Sequence, residues 1–266
     1  MIGAIIGDIV GSRFEFNNTN RTDFELFTPE CSYTDDTICT VAIADAILKG
    51  KSYKDSLLEW CRKYPNPKGS YGGSFAQWIH TADPQPYNSY GNGSAMRVSP
   101  IGWAFDDYKT VGNHACRSAA VSHNHEEGVK GAMCVANLIY HLRTGKIEKD
   151  AVKRCVKRSY GYEIPTVDYI RETNSFNETC QVTVPQAISC FLEANSFEET
   201  IRLAVSIGGD SDTIAAIAGS IAEAYYDVPK DLYQSAMSYL PTDMLNVIGD
   251  YFKMLNDKNQ PNETNP

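Results

Sequence analysis

The chain reads as an all-α protein. Apolar residues recur at helical spacing along most of its 266 residues, runs of alternating apolar and polar residues are scarce, and Gly, Pro and Asn punctuate the periodic stretches. In chain order this pattern predicts helices over 2–10, 37–49, 53–63, 74–80, 108–122, 126–145, 149–159, 184–194, 196–206, 212–226, 230–239 and 244–255. The first is an apolar run whose Gly3 and Gly7, four apart, share one helix face and suit close packing on a neighbour. The second opens behind Thr34-Asp35-Asp36, residue types that cap orphan helical N–H groups. The helix at 212–226 is small-sided (Ile214-Ala-Ala-Ile-Ala-Gly-Ser-Ile-Ala), so its backbone can approach another helix closely. The remaining segments rest on periodicity and punctuation alone.

Composition bounds the function. With 42% apolar residues and no long polar linker or shift in composition, the chain reads as one domain over 1–258, followed by a polar tail at 259–266, with fraying from Asn256 onward. Met1 to Val10 is apolar, but Gly3, Gly7 and Asp8 interrupt it and no basic segment precedes it, so it predicts no secretion signal. Nor does any run approach the roughly 20 apolar residues that cross a bilayer. A cytoplasmic location, with no membrane partner, is the expectation. The eight cysteines lack metal-ligand spacing and read as reduced, mostly buried thiols. A net charge of −9 disfavours unspecific nucleic-acid binding, so an anionic ligand needs a local positive site.

Two acidic clusters carry the chemistry. Thr34-Asp35-Asp36-Thr37 and Asp210-Ser211-Asp212-Thr213 each stand at the mouth of a small-residue apolar run. If the fold joins them, Asp35, Asp36, Asp210 and Asp212 surround one spot with the threonine hydroxyls. Carboxylates so close cannot all stay ionised without a proton or metal. Helix N-termini offset only about 0.3–1 kcal/mol per group. An all-oxygen donor set fits Mg²⁺ or Mn²⁺, whereas zinc recruits His or Cys. Taken singly, each cluster is an ordinary helix cap; two with the same chemistry favour a bipartite site.

Other residues are more equivocal alone. Asp8, in an apolar run, needs a partner or a solvated cavity. The loop 84–100, rich in Gly, Asn, Ser and Tyr, is too specific for a connector and is expected to line the site. Within it Gly91-Asn92-Gly93-Ser94-Ala95-Met96-Arg97 suits a phosphate cradle, or a simple turn with a surface arginine. His123-Asn124-His125-Glu126 reads as a helix start in which either histidine could touch a phosphate, while His80, His114 and His141 lie in helical patterns. A D-x-D-x-T phosphatase signature fails because Thr213 follows Asp212 directly. A prenyl-diphosphate motif is weakened because position 39 is Cys.

Taken in order, GAIIGDIVGSRFE, YTDDT, YGNGSAMR, SHNH and IGGDSDT resemble the ADP-ribosylglycohydrolase family over Met1 to about Tyr226. The resemblance implies a single-domain orthogonal helical bundle, a monomer, and two Mg²⁺ ions, replaceable by Mn²⁺, on Thr34, Asp35, Asp36, Asp210, Asp212 and Thr213. It implies that Glu15 acts on the attacking water, with Asp36 counted among the catalytic residues. Gly91, Asn92, Gly93, Ser94, Met96 and Arg97 would meet the diphosphate, and His123 would stand beside the nucleotide. The substrate it implies is an ADP-ribosylated protein or small-molecule conjugate, arginine-linked foremost, with ADP-ribose as product. Serine, O-acetyl or nucleobase linkage, diphosphate cleavage, and a non-catalytic ADP-ribose binder are the alternatives. No acidic residue lies between Arg62 and Thr81 to hold a guanidinium from that side.

Overall fold

The computed structural model describes residues 1–259, and these are organised by helices alone. In order they are α1 (Ile2–Gly11), α2 (Asp35–Lys49), α3 (Tyr53–Lys63), α4 (Gly73–His80), α5 (Gly93–Met96), α6 (Ser99–Ala104), α7 (Tyr108–Ala120) and α8 (Glu126–Arg143). A 3₁₀ turn (Lys149–Ala151) then leads into α9 (Val152–Tyr160), α10 (Val167–Thr173), α11 (Cys180–Glu193), α12 (Phe197–Ser206), α13 (Ser211–Ala222), α14 (Lys230–Met237) and α15 (Thr242–Asn259). No strand forms among the described residues; the bridges Thr34–Lys68 and Gly91–Thr179 are isolated. The all-α class predicted from periodicity is the class observed.

The centre is the crossing of α1 on α13, both of which are buried along their whole length. A Cβ on Gly3 would stand 2.0 Å from Gly219 O, and one on Gly7 2.0 Å from Ala215 O. Only glycine lets the two backbones meet at that separation. At the far end of the crossing, a Cβ on Gly11 would stand 2.4 Å from Asp212 Cα. Thus the end of α1 abuts the start of α13, where the second acidic cluster lies.

The start of α2 is brought to the same place by Asp8. Thr34 N and Thr37 N each donate to its Oδ2 at 3.0 Å, Thr37 Oγ1 donates to the same oxygen at 2.5 Å, and Thr34 Oγ1 donates to Oδ1 at 2.7 Å. Those bonds give the buried carboxylate its partners and fix the Thr34–Thr37 turn on α1. Burial still pushes Asp8 up to about 6 against these four bonds.

Several boundaries differ from the periodic reading. Helices α5, α6 and α10 are too short to show a period, and α5 and α6 lie in or beside the 84–100 loop. Helix α11 starts at Cys180 and carries Pro185 inside it, so that proline does not mark its start. Helix α15 continues through Asn259, past the expected fraying point at Asn256. Its end is held by Lys258, whose Nζ donates to Ala104 O at 2.8 Å. The rest of the expected tail, 260–266, lies outside the described residues.

Candidate active site

Both acidic clusters open onto one cleft of about 220 Å³, lined on that side by Asp35, Asp36, Asp210, Asp212, Thr213, Glu15 and Glu178. Thr213 Oγ1 donates to Asp36 Oδ2 at 3.0 Å, which ties the two clusters directly. Carboxylate oxygens of Glu15, Asp210 and Asp212 all lie within 4.8 Å of one another. The loop before α13 makes its turn with Gly208 (φ 68) and Gly209 (φ 77) in the left-handed region. Asn18 clamps that loop to the Glu15 segment: its Nδ2 donates to Gly209 O at 2.9 Å and its Oδ1 accepts from Gly209 N at 2.9 Å.

The electrostatics describe a site that needs a cation. Burial, then the charges of Asp8, Asp35 and Asp210, hold Asp36 well above the usual carboxylate range. Asp212 is raised in the same way by burial, then by Asp210 and Asp36, and Asp35 is raised by burial first. Glu15 is pushed up to about 7 by burial, then by Asp210, Asp8 and Glu178. Asp36 Oδ1 is buried without any hydrogen-bond partner. An orphaned carboxylate oxygen facing like charges fits a hard divalent cation, and the donors present are all oxygen. The fit is uneven across the expected ligands. Thr34 does not line the cleft, and its hydroxyl is engaged with Asp8 and Asp36 N.

The same cleft also holds a cation, Arg97. Arg97 is almost wholly buried, not a surface residue, and pairs with no carboxylate among the described residues. Its NH2 donates to Ser118 O at 3.0 Å and to Ser122 Oγ at 2.9 Å, and its guanidinium lies 5.6 Å over the Phe75 ring. Buried charges are normally paired, so an arginine lining a cleft without a counter-ion favours an anion there. Ser122 Oγ also lies 2.8 Å from His123 Nδ1. The serine proton has no other acceptor, so we assign it to Nδ1, which leaves a hydrogen on Nε2. Burial, then Arg97, lowers the His123 pKa well below the ordinary range and keeps the ring neutral. A Cβ on Gly93 would stand 3.0 Å from His123 Nε2, so this glycine gives the imidazole its place.

The expected phosphate loop divides into two kinds of residue. Gly91, Asn92, Gly93, Met96 and Arg97 line the cleft. Ser94, expected to line it as well, does not: it is fully buried and donates to Gly128 O at 2.7 Å. The Asn92 amide is also committed, donating to Asp210 Oδ2 at 2.7 Å and Thr183 Oγ1 at 3.1 Å. Asn92 therefore orients a carboxylate. From the cleft an open groove of about 480 Å³ continues past Tyr87, Ser89, Tyr90 and Glu178.

Sequence reasoning missed Glu178, Asn18, Phe75, Ser70 and the segment at Gly72–Ser74, all of which line or brace the cleft, whereas Tyr87 comes from the 84–100 loop expected to line it. Asp8 carried a signal, a lone carboxylate in an apolar helix, but not its role. The others carry none, because tertiary contact alone brings them there.

A helical protein whose single cleft is lined by clustered carboxylates, a buried arginine and a neutral histidine has the parts of a hydrolase for a phosphorylated sugar. The chain matches the ADP-ribosylglycohydrolase family over residues 1–261, and it belongs to that family. It is 27% identical to the ADP-ribosylhydrolase ARH3 of Homo sapiens, over 92% of this chain and 90% of that protein. It is 24% identical to the ADP-ribosylarginine hydrolase Tri1 of Pseudomonas putida (strain GB-1), over 86% of this chain and 70% of that one. A solved structure titled ADP-ribosylglycohydrolase-related protein complex shares the fold, with a TM-score of 0.71 at 23% identity, covering 96% of this chain and 97% of that one. The chain is thus an enzyme of the ADP-ribosylglycohydrolase class, a family that acts on ADP-ribosylated substrates and releases ADP-ribose. No helix among the described residues is long and apolar enough to cross a membrane.

Proposed function

We propose that the chain is a Mg²⁺-dependent hydrolase of the N-glycosidic bond between ADP-ribose and an arginine side chain. The reading rests on one juxtaposition: a carboxylate cluster with an orphaned oxygen shares a single cleft with a buried arginine that has no carboxylate partner. Asp35, Asp36, Asp210, Asp212 and Thr213 would hold the metal, with Thr34 orienting the turn and contributing only if its hydroxyl swings from Asp8. Bound there, divalent ions fix ribose hydroxyls and lower the pKa of a water.

The chain's own residues supply the rest. Arg97, the Gly93 N–H and the His123 Nε2–H bind the diphosphate, the N–H groups of Gly91 and Asn92 being held by Ser89 Oγ and Glu178 O, and that remote binding energy orients the ribose carbon. Glu15, whose carboxylate lies within 4.8 Å of those of Asp210 and Asp212, accepts a proton from the attacking water. In the overall reaction the C1″–N bond breaks, the water oxygen bonds to C1″, and a proton passes to the departing guanidine. Asp36 holds Thr213 in register, so it serves both the cation and the geometry.

Arginine, serine and nucleobase conjugates of ADP-ribose, assayed with and without Mg²⁺, test both halves of the reading. Metal-dependent release of free ADP-ribose from the arginine conjugate is expected. AMP as product would mark diphosphate cleavage, preference for serine would replace the acceptor, and binding without turnover would leave a reader of ADP-ribose.

A further inference from the structure

Away from the cleft, a second pocket of about 420 Å³ lies between the end of α2, the start of α3, α7 and the last turns of α15. Its charge is at odds with the chain as a whole. Lys51, Lys54, Arg117 and Lys258 line it with His114, whose ring burial and then Arg117 hold toward the neutral form, and no Asp or Glu lines it among the described residues. Yet the sequence holds 33 acidic residues against 24 lysines and arginines. Three of the cations have partners elsewhere. Lys51 reaches Glu59 at 2.6 Å and Asp45 at 3.5 Å, Lys54 reaches Asp83 at 2.7 Å, and Lys258 donates to Ala104 O at 2.8 Å. Arg117 has neither an ion pair nor a hydrogen-bond partner for its guanidinium among the described residues, and it is exposed to the pocket.

The pocket also has a flat wall and a polar end. His114 stacks on Phe105 with ring centroids 4.0 Å apart and planes 23° from parallel, and its Nδ1 is held 2.7 Å from Tyr53 OH. Ser52 caps α3 through Asp55 N, which leaves the N–H groups of Tyr53 and Lys54 without helical acceptors at the pocket edge. The Phe105 ring is engaged by His114 and by Lys258 Nζ, 5.7 Å from its centroid, so a planar fork of donors, a helix start and the His114 ring are what suit a ligand with a phosphate and a flat ring.

The same turn of α7 serves the active site from its other side. Arg117 and Val121 line this pocket. Their neighbours Ser118 and Ser122 accept from the Arg97 guanidinium, and Ser122 also contacts His123. A force on Arg117 is therefore applied to the turn that positions both groups.

We propose that this pocket binds a nucleoside phosphate, and that its occupancy changes how tightly the cleft holds ADP-ribose. The test is calorimetric titration of the whole protein with AMP while Mg²⁺ and saturating ADP-ribose fill the cleft. A binding event is expected that Arg117→Glu weakens at least about ten-fold, the scale of one charge-assisted contact, and Arg117→Lys weakens less. The helical circular-dichroism signal should be the same in all three proteins. No heat with the cleft filled, equal affinity in Arg117→Glu, or inorganic phosphate binding as tightly as AMP would each overturn the site.

Coupling is read separately as the ADP-ribose Kd with and without AMP. Competition at the cleft affects wild type and Arg117→Glu alike, so a further shift in wild type alone supports coupling, and identical shifts refute it. Should ADP-ribose itself fail to bind, the reading of the cleft falls, and AMP titration still reports on this pocket.

Discussion

The backbone of Gly69 lies against the Glu15 carboxylate: a Cβ at position 69 would stand 2.5 Å from Glu15 Oε2, and Gly69 itself is at φ 78. The segment is pinned on its other side by the Thr34–Lys68 bridge and by Lys68 Nζ donating to Glu30 O. Gly69→Ala should therefore push Glu15 aside, since the side chain is the softer partner. A displacement of about 1 Å at a reacting group can cost on the order of 100-fold in rate, so kcat should fall on that scale with little change in KM. Gly145→Ala is the control, because Gly145 has φ 63 and nothing within 4 Å of a Cβ. Both variants carry left-handed strain, and only one touches Glu15. Equal turnover in the two would show that Glu15 needs no such placement.

Thr213 and Asp36 make the only direct hydrogen bond between the two acidic clusters among the described residues. Around it the carboxylates repel one another, so removing one charge should relieve the metal-free protein. Asp36→Asn should melt higher than wild type in EDTA, by about 2–4 °C for each kcal/mol of relief. It should also lose turnover, along with the rise in melting temperature that Mg²⁺ gives wild type. Scanning fluorimetry with and without Mg²⁺ reads both effects. A variant that still gains stability from Mg²⁺ would remove Asp36 from the ligand set.

The α1–α13 crossing sets the distance between the clusters, and glycine at position 7 sets the crossing. Gly7→Ala brings a methyl group to 2.0 Å from Ala215 O, which is backbone and cannot swing away. Overpacking of this kind costs about 1–3 kcal/mol, and the helices must separate to relieve it. Urea denaturation should show the loss, and Mg²⁺ affinity should fall with it because Asp212 sits at the end of the same crossing. Unchanged stability would mean that the two helices slide freely.

Much of this was legible in the sequence, and the limits have physical causes. Periodicity located the long helices, and the acidic clusters were readable because the carboxylates and the caps use the same few residue types. Gly3 and Gly7 announced their crossing through spacing. What stayed hidden depends on contacts between distant segments. Ser94 looked like part of a phosphate cradle, yet α8 draws its hydroxyl to Gly128 O. Arg97 read equally well as a surface residue, and only its bonds to Ser118 on α7 and to Ser122 in the turn after it show it buried. Glu178 lies in no recognisable motif; an isolated bridge from Gly91 to Thr179 carries it to the cleft.

Asp45 yields a prediction about pH that is independent of the cleft. Its side chain has no exposed surface, and Lys49 Nζ lies 2.6 Å away with Lys51 Nζ at 3.5 Å. Burial alone would raise its pKa, but the ion pairs with Lys49 and Lys51 outweigh it and hold the group below its ordinary 3.8. A folded-state value below the unfolded one means the unfolded chain binds the proton more readily. The contribution is then complete above the unfolded value and is lost as pH falls through the folded one. Asp45→Asn should lower stability at neutral pH, and the gap from wild type should close as pH drops from about 5 toward about 3. Urea midpoints across that range measure the gap. A gap that stays constant with pH would show that Asp45 stabilises the fold through packing and not through its charge.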